Sequence, residues 1–190
     1  HCSADKFVTE DREELSTAEL KRVIDETLDL GVCTLIFTGG EPMARRDLYE
    51  LIDHTDKHRA HVMIFTSGVL LTEKNVDRLA DAGLGSLNVS IDALDPETHN
   101  ELRRMPGAFE KAIEGAARAR ERGILTGIST YATHENVASG DLERLLEMAE
   151  REGFHEVTVF DCVPTGKFIG QPELRLGRKD IKRVRELADR

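Results

Sequence analysis

Residues 29–40 read DLGVCTLIFTGG: the tail of a helix, a glycine, a run of strand-forming apolar residues, then a turn of small residues. The same order returns at 81–92 (DAGLGSLNVSID), 121–132 (ERGILTGISTYA) and 151–162 (REGFHEVTVFDC). Residues 57–68, KHRAHVMIFTSG, follow it with Arg59-Ala60 in place of the glycine. A glycine just past a helix supplies the left-handed residue that turns the chain back toward a sheet. The pattern predicts strands near 33–37, 61–66, 86–91, 124–130 and 156–160. These runs are short and rich in Val, Ile, Leu and Phe, as strands covered by helices are. Alternating strands and helices imply a parallel sheet with right-handed crossovers.

The helices have recognisable starts and faces. Ser16 and Glu19 fit a capping box, and Asp95-Pro96 fits a helix start with proline at the first position. Apolar residues recur at helical spacing in three stripes. Leu20, Val23, Ile24 and Leu28 make the first, Phe109, Ala112, Ile113, Ala116 and Ala117 the second, and Leu142, Leu145, Leu146 and Ala149 the third. Packing against a sheet explains all three. The first element, near 17–30, is a helix, so the expected fold is α/β with its first strand missing. Six such units make a partial (βα)6 TIM-like barrel, open on one side.

With 190 residues the chain suits one domain with a substantial core. Its net charge of −10 argues against a nucleic-acid backbone as the main partner, because phosphates need a basic face. It leaves room for one anionic ligand held by one or two arginines. No apolar run approaches the roughly 18 residues that span a bilayer. The three cysteines, Cys2, Cys33 and Cys162, are widely spaced and odd in number, so the expected compartment is a reducing cytoplasm.

In parallel α/β folds, ligands sit beyond the carboxyl ends of the strands. The predicted tips read Thr38-Gly39-Gly40-Glu41, Thr66-Ser67-Gly68, Ser90 with Asp92, Thr130, and Asp161-Cys162-Val163-Pro164-Thr165-Gly166. Small and hydroxylated residues dominate, as suits a polar small molecule lying across them. Gly39-Gly40 lets a ligand approach the main chain, and Glu41 brings a carboxylate to the same mouth. Pro42 stiffens the turn and removes a donor. Carbonyls with a carboxylate suit a cation such as an ammonium group.

Cys2 and these tips together resemble the radical S-adenosylmethionine (SAM) superfamily. The family signature is CxxxCxxC, often with an aromatic residue or histidine before the last cysteine, as in His1-Cys2. Gly39-Gly40-Glu41-Pro42 matches the family's GGEP. Thr66-Ser67-Gly68 matches its Thr-Asn-Gly tip with one change, and Ser90-Ile91-Asp92 matches its SxD. Arg103, in His99-Asn100-Glu101-Leu102-Arg103, matches the arginine of its HDxxR.

The resemblance implies an enzyme in which a 4Fe–4S cluster cleaves SAM reductively. The resulting 5′-deoxyadenosyl radical abstracts hydrogen from a small-molecule or peptide substrate. It implies that Cys2 is the third cluster ligand. Gly39, Gly40 and Glu41 would hold the methionine ammonium, Ser90 and Arg103 the methionine carboxylate or ribose, and Ser67 would lie near the ribose. The end of the last predicted strand, near Val159 and Val163, would pack the adenine. A reductase such as flavodoxin or ferredoxin would supply the electron. By the resemblance, the other two signature cysteines would be expected before residue 1. Residues 1–190 are therefore expected to be a core domain lacking its first strand and most of its cluster loop. The VPTG stretch at 163–166 is shared with SPASM/twitch-like members that carry further C-terminal clusters and act on tetrapyrroles, cofactors or peptides.

Other residues carry weaker chemistry. Cys33 precedes a strand, away from the mouth, and reads as buried core; Cys162, at the mouth, reads as filling space. His54 and His58 stand four apart on an expected helix, a metal-binding spacing, but in a solvated polar stretch. Asp92 suits a catalytic acid or a carboxylate that orders the mouth. Thr165-Gly166-Lys167 lacks the full spacing of a phosphate loop. Two other readings stand beside the leading one: a phosphate-binding TIM-type barrel enzyme without iron, and a non-catalytic barrel that only binds.

Overall fold

The computed structural model describes residues 14–162, 169–170 and 174–189. Helix α1 (Thr17–Asp29) leads into β1 (Thr34–Phe37), a short 3-10 turn (Pro42–Ala44) and α2 (Leu48–His54). Then come β2 (His61–Thr66), α3 (Glu73–Asp81), β3 (Ser86–Ser90), α4 (Pro96–Arg103) and α5 (Ala108–Glu121). The chain continues through β4 (Leu125–Ala132), α6 (His134–Ala138), α7 (Asp141–Arg151), β5 (Glu156–Asp161) and α8 (Arg178–Ala188). The five strands lie in sequential order and every pair is parallel. The α/β expectation and all five strand positions hold.

The sheet is a curled half-barrel. Its curl is legible in two side chains. Phe65 on β2 and Phe160 on β5 are three strands apart, about 14 Å in a flat sheet. Their ring centroids lie 6.1 Å apart, edge to face. The sheet therefore bends until they meet over its concave face.

Strand alternation divides the residues between the two faces. Val62, Ile64, Leu87, Val89 and Ile128 turn outward and pack with Val76 and Leu79 of α3, Ala112 and Ala116 of α5, and Leu145 and Met148 of α7. Each large aliphatic side chain buried there contributes roughly 1.5–3 kcal/mol. The concave face is more polar: Asn88, Ser90, Gly127, Ser129, Glu156 and Thr158 share it with Phe65 and Phe160.

Local chemistry sets the helix ends. Glu19 N–H donates to Ser16 Oγ at 3.3 Å, and Ser16 N–H donates to the Glu19 carboxylate at 2.8 Å, closing the expected capping box. Asp95 caps α4 by accepting from Thr98 N–H at 2.8 Å, with Pro96 at the first position.

Three expectations change. Val23 is 44 % exposed, because it is Leu20, Ile24 and Leu28 of its helix that reach the core. Cys33 is exposed, not buried, since it precedes β1, which has no described strand on its other side. His54 ends α2, and Thr55 turns the chain away, so His54 and His58 do not share a helix face. His54 Nε2 instead meets the Asp25 carboxylate at 2.9 Å. No helix among the described residues is long and apolar enough to cross a membrane.

Candidate active site

Parallel strands bring their carboxyl ends to one side, so the tips of β1, β2 and β3 meet as neighbours. Gly39 adopts φ 132°, a conformation side-chain-bearing residues avoid. Among the described residues, a Cβ added at Gly39 or Gly40 meets nothing within 4 Å, so the main chain there borders open space.

Glu41 ties this turn to the next strand. One carboxylate oxygen accepts from Thr66 Oγ at 2.7 Å and from Met43 N–H at 3.1 Å. The other accepts from Ser67 N–H at 2.9 Å and Ser67 Oγ at 2.5 Å. Four donors thus converge on one half-buried carboxylate. These four donors match the roughly four lone-pair sites of its two oxygens, so what it offers a cation at the turn is its negative charge. Charge-assisted bonds of this kind are among the stronger in proteins.

The β3 tip carries a second group. Ser90 Oγ lies 3.2 Å from Ser129 Oγ on β4. Just beyond, Asp92 Oδ2 meets Arg103 Nη2 at 2.6 Å, the carboxylate side chain being 8 % exposed and the guanidinium 23 %. Burial pushes the Asp92 pKa above its ordinary value, while the nearby Arg103 guanidinium pulls it back down. Asp92 N–H donates to His99 Nδ1 at 3.2 Å, and His99 is fully buried.

A cleft of about 900 Å³ opens past β3, β4 and β5, beside α4, α6 and α7. Asp92, Arg103, Tyr131, Thr133, Asn136 and Cys162 line part of it. Five carboxylates (Asp92, Asp95, Glu101, Glu135, Asp141) against two guanidiniums (Arg103, Arg104) give its wall an acidic balance. The Gly39–Glu41 turn is not among its lining residues; it lies toward β1 and β2, with Ser90 between the two groups.

Of the six residues expected to bind a cofactor, Gly39, Gly40, Glu41, Ser67 and Ser90 lie at the carboxyl ends of β1, β2 and β3, whereas Arg103 lies on the wall of the cleft past β3. Glu41 and Ser67 touch directly, whereas Arg103 is engaged by Asp92. Thr130 is not a strand tip: β4 runs on to Ala132, and Thr130 is buried within it. Val159 packs with Ala132, Leu142 and Leu187 on the helix side, away from the concave face. Cys162 is 3 % exposed, as a space-filling thiol should be. Cys2, Val163 and Thr165-Gly166-Lys167 lie outside the described residues. Sequence reasoning missed His99, Asn88 and the Phe65–Phe160 pair; the first lay inside the quoted HNELR stretch, and the others need strand register to be found.

These residues fit SAM in three respects: open main chain at Gly39-Gly40, a carboxylate beside it, and a guanidinium just beyond the neighbouring β3 tip. No such fit exists for an iron–sulfur cluster among the described residues, where no group of three or more His, Cys, Asp or Glu side chains converges.

Similarity to known proteins agrees with this geometry. The Radical SAM superfamily profile matches residues 1–149. The chain is 35% identical over 184 residues to an AdoMet-dependent heme synthase of Nitratidesulfovibrio vulgaris, covering 97% of this chain and 50% of that protein. It is 35% identical over 151 residues to a PqqA peptide cyclase of Rhizobium meliloti, covering 80% of this chain and 40% of that one. In fold it is similar to SuiB of Streptococcus suis, solved bound to S-adenosylmethionine, with a TM-score of 0.76 and 20% identity over 95% of this chain and 41% of that one. The chain spans about half the length, or less, of these curated relatives. A profile match over residues 1–149, on a half-barrel whose GGEP turn is bound to the neighbouring strand tip, means that this chain belongs to the radical SAM superfamily.

Proposed function

We propose that residues 1–190 are the SAM-binding core of a radical SAM enzyme, and that the mouth holds SAM by its amino-acid end. The observation that carries this reading is the Glu41 carboxylate, fixed by Thr66 and Ser67 beside an open Gly39-Gly40 main chain. In it, Gly39, Gly40 and Glu41 receive the ammonium group. Arg103, with Ser90, receives the methionine carboxylate, using guanidinium N–H groups not directed at Asp92. Ser67 lies near the ribose, and Cys2 is a cluster ligand.

When bound, a 4Fe–4S cluster with SAM supplies a 5′-deoxyadenosyl radical for hydrogen abstraction from substrate. The protein's own part is orientation and protection. Glu41 fixes the ammonium without rearranging, because its partners already hold it. Asp92 orients Arg103 before any ligand arrives. The half-barrel's walls limit water at the mouth.

The relatives act on a tetrapyrrole or a peptide by their names, so the substrate class proposed here is a cofactor precursor or a peptide. A cytoplasmic flavodoxin or ferredoxin is the proposed electron source. The acidic balance of the cleft argues against a phosphate-binding barrel, since carboxylates repel phosphate.

The test is equilibrium binding of SAM, and its reductive cleavage, with anaerobically reconstituted protein from the complete reading frame. Binding that weakens at least roughly tenfold in Glu41→Ala supports the reading. Unchanged affinity, or wild-type protein that carries a cluster but does not bind SAM, overturns it.

A further inference from the structure

Asp92 is held from α4 at two points one helical turn apart. His99 Nδ1 accepts from its main-chain N–H at 3.2 Å, and Arg103 Nη2 meets its carboxylate at 2.6 Å. His99 and Arg103 stand at i and i+4 on one helix face. The helix itself is fastened at its start by the Asp95 cap. In its middle, Asn100 Oδ1 accepts from Phe109 N–H of α5 at 2.9 Å.

We infer that His99 is a positioning residue: by accepting the Asp92 N–H it fixes the β3 exit, so that Asp92 aims Arg103 into the mouth. The inference rests on the reading of Arg103 as the carboxylate-binding group of the preceding section.

Packing alone does not explain an imidazole here. His99 meets Phe109 edge to face, with centroids 5.7 Å apart and planes at 73°. A phenyl ring would make the same contact. The imidazole additionally buries Nε2 without a partner among the described residues, which an apolar ring would avoid. What it gains is the Nδ1 acceptor. Accepting there places the proton on Nε2 and requires a neutral ring. Burial favours that form, pushing the His99 pKa below its ordinary value.

Two substitutions separate positioning from packing. His99→Phe keeps the ring and removes the acceptor. His99→Asn shortens the side chain but offers Oδ1 near the place of Nδ1. In holoenzyme from the complete reading frame, His99→Phe is expected to weaken SAM binding roughly five- to tenfold, the loss of one hydrogen bond, and His99→Asn to restore most of it. Hydrogen exchange of the peptide spanning 90–94 is expected to quicken in His99→Phe and not in His99→Asn. Should the Phe variant not fold, His99→Leu, also without an acceptor, takes its place. Wild-type affinity in the acceptor-free variant, equal weakness in the Asn variant, or unchanged exchange at 90–94 overturns the inference. Wild-type protein that does not bind SAM defeats the reading of Arg103, while the exchange measurement still decides whether His99 fixes Asp92.

Discussion

The Asn88 side-chain amide on β3 donates to the Glu156 carboxylate on β5 at 2.8 Å, passing over the whole width of β4. It also donates to Thr158 Oγ at 3.1 Å. The crossing is possible because the β4 residue beneath it is Gly127. A Cβ there would lie 2.5 Å from Asn88 Oδ1 and 2.6 Å from Glu156 Cγ. This bridge ties three strands together across the concave face, in a place the helices cannot reach.

Gly127→Ala is therefore expected to destabilise the fold by about 1–3 kcal/mol, the usual cost of forcing an atom into a filled interior. Urea unfolding measures it. A change under about 0.5 kcal/mol would show that Asn88 yields at little cost.

Gly40→Ala should behave in the opposite way. Its Cβ meets no atom of the described residues within 4 Å, and its φ is not among the left-handed ones. Stability is expected to stay within about 0.5 kcal/mol of wild type, while SAM affinity falls because the methyl group takes up ligand space. Calorimetry and thermal unfolding on the same sample check both halves.

Glu41→Gln exchanges one acceptor oxygen for an NH2 donor. Whichever way the amide turns, that donor faces N–H or O–H groups that bonded the carboxylate. The expected loss is about 1–3 kcal/mol of stability, together with weaker SAM binding. Full stability in this variant would mean that the Thr66-Ser67 turn holds its shape unaided.

Acid should weaken the fold through His99. Burial lowers its pKa in the folded state from the ordinary 6.5, outweighing the raising effect of the Asp92 carboxylate. As pH falls below about 6.5, the unfolded chain takes up a proton that the folded chain refuses, so stability falls. Asp92 works in the opposite sense, its raised pKa favouring the folded state as pH drops toward the carboxylate range. Unfolding free energies between pH 7.5 and 5.5 should thus decline in wild type, and decline less in His99→Phe. Equal slopes would remove His99 from the account.

Much of this arrangement was legible in the residues. The strands were found because each helix–glycine–strand unit repeats the same local grammar, and local grammar is what a sequence records directly. The GGEP turn was legible from its residue types alone as an open main-chain turn with a carboxylate beside it. Cys33 and Val23 were misjudged for one reason: each borders β1 or α1 where nothing described covers them, and apolar character does not report a missing neighbour. Thr130 was misplaced because β4 is two residues longer than its apolar run suggests. The Asn88–Gly127–Glu156 bridge stayed hidden because it depends on the register of three strands separated by 68 positions in the chain.

The two described thiols offer a practical handle. Cys33 stands open at the amino end of β1, while Cys162 is shut away beyond the carboxyl end of β5, its pKa raised by burial and then by Asp161. Of these two thiols, an alkylating dye applied briefly at neutral pH should tag Cys33 on the floor of the half-barrel and spare Cys162 at its rim. A fluorophore attached at Cys33 would then report on events at the opposite end without obstructing them.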